Sequence, residues 1–115
     1  MNILLVEDEA LLGETLKELL ETLGHQVFYT KDAMEAQEIL SARGMEIDFA
    51  LVDVVLPGMS GPELVVWILE RYPHIRVVCI TGYTPLVTEE PCGKGVPVIF
   101  KPFTIKDLEP YLKVH

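Results

Sequence analysis

The chain has 115 residues, half of them hydrophobic, with 9 basic and 18 acidic side chains and a net charge of −9. That length suits one domain with a sizeable core, and the composition excludes a disordered tail. The charge, with no basic stripe to offset it, argues against a nucleic-acid or membrane surface. The longest apolar run, Leu64–Leu69, is far short of a membrane span, and Met1–Val6 lacks a basic start and meets Glu7 too early for a signal peptide. Cys79 and Cys92 have neither metal-ligand nor CxxC spacing. They read as thiols of a reduced, cytoplasmic protein, with Cys79 a small core residue mid-strand.

In chain order, Ile3–Val6 is the first candidate strand. Leu12, Leu16, Leu19, Leu20 and Leu23 then form one helical stripe that Gly24 can end. A second strand, Gln26–Thr30, precedes a capping-box start at Asp32 and Glu35, with Ala33, Ala36 and Leu40 on one face. A third strand, Phe49–Val52, is followed by the same signal at Ser60 and Glu63, ahead of Leu64, Trp67 and Ile68, and Pro73 closes that helix. The all-round apolar character of this helix points to burial, with a partner surface as the alternative. Val77–Thr81 is the fourth strand. Pro85, Pro91, Gly93 and Gly95 leave Gly82–Val96 room for about two helical turns at most, so a fourth crossover helix is short or absent. Val98–Phe100 is the fifth strand, and Thr104 with Asp107 starts a last helix that Pro110 should kink or shorten. Strands alternating with helices, three of the strands almost purely apolar, predict a three-layer α/β domain around a parallel sheet.

The chemistry gathers at the strand ends. Strand one runs into Glu7 and Asp8, strand three into Asp53, strand four into Thr81 and strand five into Lys101. Open α/β sheets bind ligands outside the carboxyl ends of their strands. If strands one, three, four and five are neighbours, three carboxylates, a hydroxyl and an ammonium share one rim. Clustered carboxylates invite a divalent cation, and oxygen ligands on a shallow rim suit Mg²⁺. Lys101 and Thr81 would bind the oxygens of a transferring phosphoryl group, and Asp53 can carry one as an acyl phosphate. Each residue also has a plainer reading: acids charging a helix N-terminus, an Asp and a Pro-Gly in a turn, a Thr and a Lys ending strands. Those readings require five unrelated residues to reach one rim by accident. His25, His74 and His115 form no metal spacing.

Ile3–Glu9, Asp53–Gly61, Thr81-Gly82-Tyr83 and Lys101-Pro102-Phe103, in this order and spacing, resemble the receiver domain of two-component response regulators, over essentially the whole chain. The resemblance implies one receiver domain over 1–115, with a flavodoxin-like, doubly wound fold and five parallel strands in the order 2-1-3-4-5. It implies Asp53 as phosphoacceptor. Asp8 and Asp53 would ligate Mg²⁺, with Glu7 nearby acting through water and the Val55 carbonyl supplying another ligand. Thr81 would turn its hydroxyl, and Lys101 its ammonium, toward the phosphoryl group, and the Lys101–Pro102 bond is often cis in this family.

The implied partner is a histidine kinase or histidine phosphotransfer domain. The domain would catalyse only its own phosphorylation and dephosphorylation, without binding nucleic acid or membrane. Two departures stand out. Val98 occupies the usual aromatic switch position, and Gly82–Val96 trims the face many receivers use to dimerise. Both are more similar to receivers attached to hybrid sensor kinases, and they lead us to expect a monomer or a phosphate-independent dimer. Within these 115 residues no DNA-binding or catalytic output segment is expected after Lys113, which fits a free-standing regulator and a domain of a longer protein alike. The alternatives are a docking module on the same fold that is never phosphorylated, and a small Mg²⁺-dependent phosphohydrolase. The latter normally needs a further acid where this chain has Val55.

Overall fold

A strand places successive side chains on opposite faces, so a strand apolar at every position must be covered twice. The computed structural model, which describes residues 1–82 and 91–112, has this arrangement. Its strands are β1 (Asn2–Val6), β2 (Gln26–Thr30), β3 (Phe49–Asp53), β4 (Arg76–Thr81) and β5 (Val98–Phe100). All pair in parallel, in the order β2-β1-β3-β4-β5. The helices are α1 (Ala10–Thr22), α2 (Ala33–Arg43), α3 (Gly61–Arg71) and α4 (Ile105–Leu112), with a 3₁₀ turn at Gly44–Glu46. This is the three-layer α/β domain expected from the strand–helix alternation, with the flavodoxin-like strand order that the family resemblance implies.

The alternation of side chains sorts the core into two layers. Leu4 and Val6 of β1, with Ala50 and Val52 of β3, pack beneath Ala33, Ala36 and Leu40 of α2 and Leu64, Val65 and Ile68 of α3. Ile3 and Leu5, with Phe49 and Leu51, face Leu16 and Leu20 of α1 and Leu108 and Leu112 of α4. Every residue of β3 is buried. Burying each such Leu, Ile or Phe contributes about 1.5–3 kcal/mol.

Local signals fix the helix starts. The Asp32 carboxylate accepts from Glu35 N at 2.8 Å, and Ser60 Oγ accepts from Glu63 N at 3.3 Å. At α4 the direction is reversed, with Thr104 N donating to Asp107 Oδ2 at 2.8 Å. α4 continues past Pro110 to Leu112 within the described residues, so the proline does not end it at its own position.

Three expectations change. The α1 stripe is narrower than its leucines suggest. Gly13, Leu16 and Leu20 are buried, whereas Leu19 and Leu23 are half-exposed. Leu19 is turned about a quarter of a circle from the centre of the Gly13–Leu16–Leu20 face, and Leu23 lies beyond the last helical turn. Second, Cys79 and Cys92 are not independent thiols but are joined as a disulfide. Cys79 faces the α2–α3 layer, and the turn at Cys92 folds back onto that same layer. Sequence spacing carries no sign of that return. Third, half-buried Trp67 is neither deep core nor bare surface, as Arg71 lies over its ring at 4.5 Å. The expectation of a short or absent crossover helix falls largely on residues 83–90, outside the described residues.

Gly61 starts α3 directly against β3. A Cβ at this position would collide with the Asp53 carbonyl oxygen and crowd the Val54 backbone. Gly61→Ala is therefore expected to destabilise the domain by about 1–3 kcal/mol in urea unfolding. It should also displace Asp53, visible as amide shifts at Asp53–Val55.

Candidate functional site

The order β2-β1-β3-β4-β5 puts the carboxyl ends of β1, β3, β4 and β5 side by side, and the residues that follow them share one rim. Hydrogen bonds between neighbouring ends set the spacing. Lys101 N donates to Thr81 O at 2.7 Å, and Val54 N donates to Ile80 O at 2.9 Å. The Lys101–Pro102 peptide is cis.

Lys101 is the centre of the charge arrangement. Its ammonium donates to Asp53 Oδ2 at 2.8 Å, lies 2.9 Å from Glu7 Oε1 and stands 3.9 Å from Glu9 Oε2. Asp53 and Glu7 are both buried. The second oxygen of Asp53 accepts from Val55 N at 2.9 Å, and Glu7 Oε2 accepts from Glu9 N at 3.0 Å. Glu7 Oε1 is buried without any hydrogen bond of good geometry, its approach to Lys101 being an ion contact only.

Glu7, Asp8 and Asp53 each offer an oxygen, and the three oxygens lie within 4.8 Å of one another. Asp8 is exposed, so the cluster opens to solvent on its side. Asp8, Glu9, Asp53, Val55, Gly82 and Lys101 line a cleft of about 340 Å³. Buried Thr81 forms the end of β4 beside it. Three carboxylate oxygens this close together, one of them on an exposed residue, fit a hard, oxygen-seeking divalent cation, which takes one or two protein carboxylates and completes its shell with water. All the site residues expected from the sequence therefore fall on one rim.

Two contributors were not singled out beforehand. Glu9 holds Glu7 through its backbone N–H, and Tyr29 donates its hydroxyl to the Glu7 carbonyl at 2.9 Å. The Tyr29 ring also fills the space left by Gly13, where a Cβ would collide with it. No sequence pattern marks that pairing, which depends on α1 crossing β2.

Burial pushes the Glu7 carboxyl up to about 7. The Glu9 N–H and Lys101 oppose the rise, and nearby Asp53 adds to it. For Lys101, burial alone would lower the ammonium, but its contacts with Asp53 and Glu7 outweigh it and the group is raised. The raised Glu7 makes the metal-free domain prefer the protonated acid. That contribution to stability is complete below about 4.5 and is lost as pH rises toward about 7. In EDTA, the melting temperature of Glu7→Gln is expected to depend less on pH across this window than that of the parent. Parallel melting curves for the two proteins would count against it.

The family model for the response regulator receiver domain matches residues 3–113. The chain is 31% identical over 118 residues to the sensor kinase CckA of Brucella abortus, covering 97% of this chain and 12% of that protein. It is 30% identical over 96 residues to the polar-differentiation response regulator DivK of Brucella ovis, covering 82% of this chain and 76% of that one. It thus spans most of the regulator but only a small part of the kinase. Among solved structures it resembles a Burkholderia pseudomallei response regulator with a phosphorylated aspartic acid, a calcium ion and citrate. That match has a TM-score of 0.82 at 28% identity, covering 98% of this chain and 66% of the other.

Proposed function

This chain belongs to the response regulator receiver domain family of two-component signalling, and from that membership we propose that Asp53 accepts a phosphoryl group from a phosphohistidine. The observation that carries the reading is the position of Asp53. It is a buried carboxylate at the end of β3, 2.8 Å from the Lys101 ammonium and within 4.8 Å of the oxygens of Glu7 and Asp8. The phosphorylated aspartic acid of the Burkholderia neighbour supports it. Residues 1–115 then make one receiver domain, phosphorylated by a histidine kinase or a histidine phosphotransfer domain.

In the proposed step an Asp53 oxygen attacks phosphorus, the phosphorus–nitrogen bond to the donor histidine breaks, and the acyl phosphate remains on Asp53. Lys101 already holds Asp53 Oδ2 and, as charge moves outward, would exchange part of that contact for a phosphoryl oxygen. Val55 N fixes the other Asp53 oxygen and hence the plane of the carboxylate. Thr81 would donate its hydroxyl to a phosphoryl oxygen. Asp8 and Asp53, with Glu7 through water and the Val55 carbonyl, would hold Mg²⁺. That ion would neutralise phosphoryl charge when bound.

We place the domain in the cytoplasm, where its phosphodonors are; among the described residues no helix is long and apolar enough to cross a membrane. A module that only docks has no use for this burial of Asp53 and Glu7 around one lysine, since buried carboxylates are costly to keep.

Acetyl phosphate with Mg²⁺ is expected to add one base-labile phosphoryl group, read by intact mass. Asp53→Asn should abolish the addition while keeping the parent circular dichroism. Labelling of that variant at the parent level would move the nucleophile elsewhere. Saturating Mg²⁺ should raise the melting temperature by relieving carboxylate repulsion, and Asp8→Ala should remove most of the rise. An equal rise in the variant would exclude Asp8 as a ligand. Because Val98 is not aromatic, sedimentation with beryllofluoride should show no phosphate-driven dimer. A monomer-to-dimer shift would refute that.

A further inference from the structure

Cys79 lies in β4, two residues before Thr81 and on the same face of the strand. Its sulfur is bonded to Cys92, 13 residues on, in the turn that leads into β5. These are the only two cysteines in the chain. The bond therefore closes a loop that contains Thr81, and the residues beyond Cys92 lead straight to Lys101. We propose that Cys79 and Cys92 form a reversible thiol–disulfide switch that sets how firmly the Thr81–Lys101 side of the rim is held.

The local structure explains why a tether would matter here. β5 has three residues and pairs only with β4, through Cys79↔Val98, Ile80↔Ile99 and Thr81↔Phe100. Gly93-Lys94-Gly95 before it is exposed. Among the described residues, Val96 N donates to Gly93 O at 3.2 Å and Cys79 N donates to Pro97 O at 2.9 Å. A three-residue edge strand offers a short ladder to order the glycine- and proline-bearing connection that feeds it. A covalent link to β4, adjoining the Cys79–Val98 pair, restricts it directly.

The bond can open without damaging the core. Cys79 is fully buried and Cys92 is 4% exposed, both in the layer with Leu64, Val65 and Ile68. As thiols they remain small apolar side chains, so reduction removes a constraint without burying a charge. Exchange begins at Cys92, which sits in the turn before β5 rather than in the strand ladder. When that turn opens, the Cys92 thiolate attacks a low-molecular-weight disulfide such as oxidised glutathione and releases one small thiol. The Cys79 thiolate then attacks the Cys92 sulfur and releases the second. Two protein thiols become one disulfide, and the small disulfide, taking up two electrons and two protons, becomes two thiols. In a cytoplasmic protein such pairs are usually transient and redox-sensing rather than permanent.

The switch does not depend on the phosphoacceptor reading; only its effect on phosphorylation does. The protein is equilibrated in oxidised and reduced glutathione mixtures, alkylated and weighed, and followed by hydrogen exchange. We expect conversion between a dithiol and a species lighter by two hydrogens, reversible without denaturant. In the reduced form, amides of Val98–Lys101 should exchange at least about tenfold faster. The melting temperature should fall by roughly 10 °C. Cys92→Ala should exchange like the reduced form in either buffer. Two alkylated thiols in excess oxidised glutathione, a bond that opens only in denaturant, or unchanged exchange at Val98–Lys101 would each overturn the proposal. Acetyl phosphate labelling of Asp53 is expected to be severalfold slower in the reduced form. If labelling fails in both forms while exchange still switches, the phosphoacceptor reading falls and the switch stands.

Discussion

One ammonium group makes this rim possible. Asp53 and Glu7 are buried carboxylates, and leaving both ionised without a counter-charge would be costly. Lys101 reaches both at hydrogen-bond distance, yet a single positive charge cannot neutralise two negative ones and Asp8 besides. The site therefore keeps an excess of negative charge at short range. Glu7 carries the cost of that burial: loss of solvent pushes its carboxyl up, and Asp53 adds a smaller part. An under-compensated acid cluster beside a fixed ammonium is poised to take up a cation and an anionic group together.

The sheet supplies the geometry. Parallel strands start at one edge of the molecule and end at the other, so residues far apart in sequence arrive together only at strand ends. Asp53 and Lys101 are 48 residues apart yet 2.8 Å from contact atom to contact atom. The two core layers hold this arrangement rigid where β1 and β3 are buried. The support is uneven, because β5, which delivers Lys101, is the short edge strand. The residue on which the charge balance depends thus comes from the weakest strand.

Much of this was legible in the amino-acid order. The five strands were readable because each is a short run rich in branched or aromatic residues bounded by turn or cap residues, and Asp53 and Lys101 stood out as charges ending such runs. The strand order came with the family resemblance, because periodicity alone does not say which strands are neighbours. Leu19 and Leu23 misled because hydrophobicity marks candidates for burial, while the helix axis decides which of them face inward. The Tyr29–Glu7 hydrogen bond and the Cys79–Cys92 bond were illegible for a common reason. Each joins residues whose proximity is created by chain crossings, and neither pair has a spacing that singles it out.

The cross-link and the charge cluster bear on the same weakness from opposite sides. Lys101 is held at its ammonium by Asp53 and Glu7, and at its backbone by Thr81. If an incoming phosphoryl group draws the ammonium away from Asp53, the side-chain anchor is loosened as the backbone anchor is called on most. β5 then depends on its three-residue ladder and on whatever restrains the connection before it. A covalent tie from Cys92 to Cys79 restrains that connection independently of charge. The ammonium can then change partners while the backbone that carries it stays in place.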